Sequence, residues 1–378
     1  MTRARRISRS AIAALLSAAV VAGVAVGAST VMAETPPKLP AVTAQDLVAS
    51  SLTALSGQVS ISGDVQTKLD LGVPEIPASL SGAAGGAGIT SALASLIGTQ
   101  HYRVWSSPDG LRVQHLADFQ EQDLIVNQTE AWFWDSATST ATRLRTADLA
   151  STLPAPPAQA QAQAQANVQA EVAQMANLDP TTLAAKLLQG ASTCGDVSVS
   201  GTAVVAGRDA YLLSFTPTST TTLVGRATVA IDAATRLPLD VQIVPRGSVD
   251  PAMEAGFTSV SFDAIDPVMF AFTPPPGATV KDVTDQIAGA AQPPAGEPVG
   301  YTPGGSSPGG PQPVTAGSCL DLSFAVPLGA PLPKEAASLL PYAGPLVSAI
   351  TVERGGTTWL LVGSVDPATL QQRADAIP

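Results

Sequence analysis

The 378-residue chain is 45% hydrophobic and only 13% charged, too apolar for an intrinsically disordered protein and long enough for two domains. Its formal net charge is −11, and removing residues 1–33, which hold four arginines and no acid, leaves −15. So acidic a surface excludes nucleic acid or an anionic bilayer as an electrostatic partner.

Arg3, Arg5, Arg6 and Arg9 precede an apolar run over residues 11–33 that ends in Val31-Met32-Ala33, the short side chains a signal peptidase reads. This predicts Sec-type export. The run also reaches the ~20 residues that span a bilayer, so an uncleaved N-terminal membrane anchor stands beside the cleaved signal peptide. In both cases the basic flank stays in the cytoplasm and residues 34 onward are extracytoplasmic.

Downstream, Leu47, Val48, Leu52 and Leu55 recur at helical spacing behind Thr43 as a cap. Residues 58–71 then alternate as a half-buried strand with a bulge or bend at Gly63. Residues 72–99 are rich in small side chains and read as an insertion with a short helix near 89–97. A meander follows from His101, its first hairpin turning at Pro108-Asp109-Gly110. Residues 154–191 are an Ala/Gln-rich helical segment, with a helix starting after Asp179-Pro180. Further strands are expected up to residues 270–280, over FAFTPPPGATV. Residues 285–317 carry too little apolar area to offset the entropy of ordering and read as a Pro/Gly-rich linker. In the last 60 or so residues a strand, a short helix over 333–344, a hairpin across Gly355-Gly356 and a final helix from Asp366-Pro367 are expected.

Val205-Ala206-Gly207-Arg208-Asp209-Ala210-Tyr211, then Leu223-Val224-Gly225-Arg226, Ile231 to Leu239 (IDAATRLPL) and Phe272-Thr273-Pro274-Pro275-Pro276-Gly277 resemble the LolA-like and RseB-like exported lipoprotein-binding proteins. The resemblance covers about residues 45 to 285 and its motifs are structural. It implies an α+β, mainly antiparallel fold: an unclosed β-barrel of about ten or eleven strands, with covering helices and an apolar cavity for acyl chains. The domain organisation that follows is a signal peptide or anchor at 1–33, a LolA-like lipid- or lipoprotein-binding domain at 34–284, a linker at 285–317 and a small C-terminal α/β domain at 318–378. No ligand residue of the family maps onto a position of this chain.

Trp132 and Trp134 share one strand face, with Phe133 and Asp135 on the other, and Trp105 lies on a nearby hairpin. These three tryptophans are the candidate wall of the acyl cavity, with ordinary core packing as the alternative. His101 and His115 have no third ligand, and no serine is marked by an oriented base, so neither a metal, a cofactor nor a catalytic residue is expected. Cys194 and Cys319, the only cysteines, are a candidate disulfide in an oxidising compartment, with two free thiols as the alternative. The function expected is that of a noncatalytic carrier whose partner is the acyl chain of a lipid or lipoprotein. The alternative is an RseB-like envelope-stress sensor that regulates a membrane anti-sigma factor.

Overall fold

The computed structural model describes residues 36–57, 59–72, 97–117, 119–146, 180–286, 312–313, 320–328, 337 and 340–377. The export segment, the short helix near 89–97, the Ala/Gln tract before Pro180 and Cys319 lie outside the described residues.

Helix α1 (Ala44–Ser56) begins where the sequence predicts, because the Thr43 hydroxyl accepts the Asp46 backbone N–H at 3.1 Å and Asp46 adds a carboxylate to the first turn. Eleven strands then run β1 (Ile61–Leu69), β2 (Gly98–Ser107), β3 (Gly110–Ala117), β4 (Gln120–Asn127), β5 (Ala131–Asp135), β6 (Thr140–Leu144), β7 (Gly195–Val205), β8 (Arg208–Pro217), β9 (Val224–Asp232), β10 (Pro238–Pro245) and β11 (Met253–Ser261). Helix α2 (Pro180–Ser192) precedes β7, and β12 (Thr279–Asp282) follows a 3-10 turn at Pro267–Phe270.

These twelve strands form one sheet in the order β12-β6-β5-β4-β3-β2-β1-β11-β10-β9-β8-β7. Its ends, β12 and β7, do not pair, so the sheet is not closed, as expected. Two details differ. The sheet has twelve strands rather than ten or eleven, and β12 runs parallel to β6. The strand expected over FAFTPPPGATV is a 3-10 turn and irregular chain up to residue 278, because Pro274, Pro275 and Pro276 have no N–H to give a ladder. The predicted irregularity near Gly63 is a bulge in its partner: Asp64 pairs with Ser259 but Val65 with Phe257, leaving Thr258 as the extra residue.

The turns obey their chemistry. Ser107 pairs with Gly110 across Pro108-Asp109, and a β-carbon on Gly110 would lie 2.7 Å from the Phe270 ring, so only glycine fits below that aromatic. Asp232 organises the β9–β10 turn: its Oδ2 accepts from the Thr235 N–H at 2.6 Å and hydroxyl at 2.8 Å, while the Arg208 guanidinium donates to Oδ1 at 2.6 Å. Burial opposes ionisation there, but the Arg208 and Thr235 bonds prevail and hold the Asp232 carboxyl below its usual range. Pro238 stands at the first position of β10, where a missing N–H is tolerated.

The C-terminal residues build a second sheet, in the order β13 (Gln312–Pro313), β14 (Ser323–Leu328), β17 (Thr357–Gly363), β16 (Ser348–Arg354) and β15 (Tyr342–Ala343). Gly355 and Gly356, at φ of 56° and 76°, turn β16 into β17 as expected of a hairpin that needs left-handed backbone. Helix α3 (Pro367–Arg373), capped by Asp366, buries Leu370 against Ile350, Trp359 and Leu361. Two expectations shift here. β13 falls inside the residues read as linker, and Tyr342–Ala343, read as the end of a helix, pair instead with Ala349 and Ser348.

The second sheet is seated on the first. The Leu223 N–H donates to the Ser364 carbonyl at 2.7 Å, the Ser219 and Thr221 hydroxyls donate to the Asp321 carboxylate at 2.8 Å, and Leu346 packs with Val224 and Ala252.

Candidate binding site

The register of β1 to β6 sorts side chains onto two faces in rungs, since alternate residues of a strand point to opposite sides. On one face, Ile61, Ser106, Leu111, Val126, Ala131 and Leu144 form a first rung. Gly63, Val104, Val113, Leu124, Phe133 and Thr142 form a second. The third rung turns polar: Val65, Tyr102, His115, Gln122 and Asp135. Thr67 and Gln100 open a fourth. That last rung continues without a break through Ala255, Val241, Val229 and Leu213 to Val199.

Helix α1 lies on this same face. Leu47 is fully buried against Tyr211 and Ile231, with Val199, Leu213 and Val229 around them, and α2 packs beside α1. The helices therefore cover the β7–β9 half. Over β4 and β5 the same face carries large apolar groups in the open: Leu124 is 39% exposed and Phe133 43%.

The opposite face holds the tryptophans. Trp105, Arg112, Ile125, Trp132 and Arg143 align in one rung, and Arg103, Gln114, Asp123, Trp134 and Ala141 in the next. Trp132 is 6% exposed and packs with Ile125, Ala141 and Phe272, whose ring centroid is 5.4 Å away; Trp134 meets Phe272 at 6.2 Å. The Arg143 guanidinium sits 5.3 Å from the Trp132 ring and that of Arg112 5.8 Å from Trp105. Arg112 also bonds the buried Asp123 carboxylate, but burial is the larger effect and raises the Asp123 pKa.

The expected shared face of Trp132 and Trp134 is thus present, and Trp105 is on it, but it faces away from the helices. The side chain presented to the open apolar side is Phe133. The reason lies in the chain after β11: Phe270 and Phe272 cross the outer face, where Phe270's carbonyl accepts from Asn127 Nδ2 at 3.1 Å, and give the indoles something to pack on.

His101 and His115 fall on opposite faces, since His101 pairs with Gln66 and His115 with Tyr102. Among the described residues no group of three or more His, Cys, Asp or Glu is placed to hold a metal ion. His115 stacks on Tyr102 with ring centroids 4.8 Å apart and its Nε2 is 2.9 Å from Gln100 Oε1. Sequence reading missed this cluster because its members are spread over two strands. Cys194, in the turn just before β7, is disulfide-bonded. No helix among the described residues is long and apolar enough to cross a membrane.

No protein-family model and no curated protein matches the chain. Several solved structures do. The MucA/MucB complex of Pseudomonas aeruginosa is 15% identical, covering 88% of this chain and 96% of the other at a TM-score of 0.41. The lipoprotein LppX of Mycobacterium tuberculosis is 11% identical, with 59% and 97% covered and a TM-score of 0.29. A LolA superfamily protein of Nitrosomonas europaea is 11% identical, with 61% and 99% covered and a TM-score of 0.22. At these values the matches carry no inference about what this chain binds.

Proposed function

We propose that the chain is a noncatalytic, extracytoplasmic binding protein that holds the acyl chains of a lipid or lipoprotein against the inner face of its open sheet. The observation that carries this reading is the pair of apolar rungs running from Ile61 and Val104 to Leu144, left uncovered by α1 and α2 at Leu124 and Phe133. An apolar surface wide enough to hold a chain gains about 25 cal/mol per Å2 removed from water. The basic and apolar N-terminal segment supports export, and a Cys194–Cys319 bond, the one pairing two cysteines allow, suits an oxidising compartment.

Native mass spectrometry of the full-length protein purified from its own envelope tests this. An acylated species at one per chain, lost from a Leu124→Asp/Phe133→Asp variant and kept by Trp132→Phe, is the expected outcome. A ligand-free mass that persists after incubation with envelope lipids overturns it.

A second reading, a sensor whose C-terminal unit contacts a membrane-bound regulator such as an anti-sigma factor, is favoured by one observation. Leu322 and Phe324, beside and on β14, are exposed at 54% and 41% on a sheet already seated on the first. Crosslinking in cells from position 324 that captures a membrane protein supports it, and crosslinks to lipid alone count against it.

A further inference from the structure

At the β3–β4 end of the inner face, Gln100, His115, Ala117, Gln120 and Gln122 line a cavity of about 260 Å3. Among the described residues its lining contains three carboxamides and an imidazole and no Lys, Arg, Asp or Glu, in a chain of net charge −11; Asp118, next to Ala117 in the chain, lies outside the described residues. Two described acids beside it are already engaged. Asp135, paired in register with Gln122, accepts the Ala137 and Thr138 backbone N–H groups at 2.9 and 3.3 Å, and Glu121 points to the outer face and bonds Gln114.

A carboxamide offers two donors beside a two-lone-pair acceptor, the pattern that matches a hydroxyl group, which both gives and takes a hydrogen bond. A phosphate, carboxylate or ammonium would instead leave its charge unpaired in such a pocket. Gln100 is itself held in place, its Nε2 donating to the Ile97 carbonyl at 3.3 Å and its Oε1 facing His115 Nε2 at 2.9 Å. The carboxamides of Gln120 and Gln122 make no side-chain hydrogen bond among the described residues. The pocket is continuous with the apolar rungs: Gln122 and Leu124 are two apart on β4, and His115 and Val113 two apart on β3, all on one face.

We propose that this pocket holds the uncharged, hydroxyl-bearing head group of an amphiphile whose chain lies on the neighbouring apolar rungs. The proposal rests on the reading of that face as a chain-binding surface and adds the class of head group it selects. The glutamines bond the hydroxyls, His115 closes one wall, and Tyr102 backs the imidazole.

The test compares dodecyl maltoside, dodecyl phosphocholine and free maltose, each titrated below its micelle concentration into the full chain by isothermal calorimetry. The maltoside is expected to bind about tenfold tighter than the phosphocholine carrying the same chain, the worth of one or two net hydrogen bonds. In Gln122→Leu and Gln100→Leu that gap closes, while Leu124→Ala weakens both amphiphiles alike. Leu fills nearly the volume of Gln, and thermal unfolding of each variant confirms that the fold is kept. Equal affinity for the two head groups overturns the head-group assignment and leaves the apolar face standing. No binding of either amphiphile removes both readings. Free maltose binding as tightly as its dodecyl derivative makes the pocket a glycan site and overturns the amphiphile.

Discussion

The inner face of the large sheet is one surface in two conditions. Over β8 and β9, Tyr211, Leu213, Val229 and Ile231 are sealed by Leu47 of α1. Over β3 to β5, Val113, Leu124 and Phe133 present the same alternation, and among the described residues no helix covers Leu124 and Phe133, which are exposed. The two regions are joined by an unbroken rung through Thr67, Ala255 and Val241, so the difference comes from what packs on the sheet. A strand that alternates declares that one side is apolar. Whether that side is core or binding surface depends on a covering element elsewhere in the chain.

The largest expected effect lies behind the sealed half, at a carboxylate on the outer face of β10. Asp240 is buried on β10; burial first, and the neighbouring Glu254 charge second, push its pKa up from 3.8 to about 7. An acid whose pKa is raised on folding favours the protonated native state, so its contribution is greatest below pH 3.8. It is lost as pH rises toward about 7 and changes no further above that. The span is roughly 4 kcal/mol at most. Asp240→Asn is expected to flatten that part of the slope, read as urea midpoints at about pH 5 and pH 8. An unchanged difference between the two midpoints refutes the burial argument.

Truncation separates the two halves directly. Leu47→Ala opens a cavity in the sealed half and is expected to cost about 3 kcal/mol in chemical denaturation. Phe133→Ala, on the open half, is expected to cost under about 1 kcal/mol of stability while weakening an acyl probe roughly tenfold. Were the two losses in stability alike, Phe133 would belong to a core and the comparison would fail. The smallest effect is at the β3–β4 turn, where Phe119 is fully exposed at a φ of 59°. Phe119→Gly relieves left-handed strain and is expected to raise stability by about 0.5 kcal/mol, seen as a slight rise in Tm.

Much of this was readable residue by residue. Thr43 marks α1, Asp109-Gly110 and Gly355-Gly356 mark hairpins, and Pro238 marks a strand entry, because each acts through backbone geometry within a few residues. The alternation of Trp132, Phe133 and Trp134 was equally plain. What stayed hidden was the side on which the indoles lie, since Phe270 and Phe272, which cover them, come from beyond β11. The pocket of Gln100, His115 and Gln122 has a signal in the sequence, polar residues at the matching parity of three consecutive strands, but it becomes visible only once the Asp109-Gly110 turn fixes their register. The parallel pairing of β12 has no local signal, because four exposed residues join an edge set by β6.

By itself, then, the sequence determined the periods, the turns and the parity of each strand, which are short-range consequences of steric and hydrogen-bonding rules. The tertiary structure decided which apolar face is sealed by α1 and which is left open, because burial is a property of two surfaces that meet, and no single strand carries the identity of its cover.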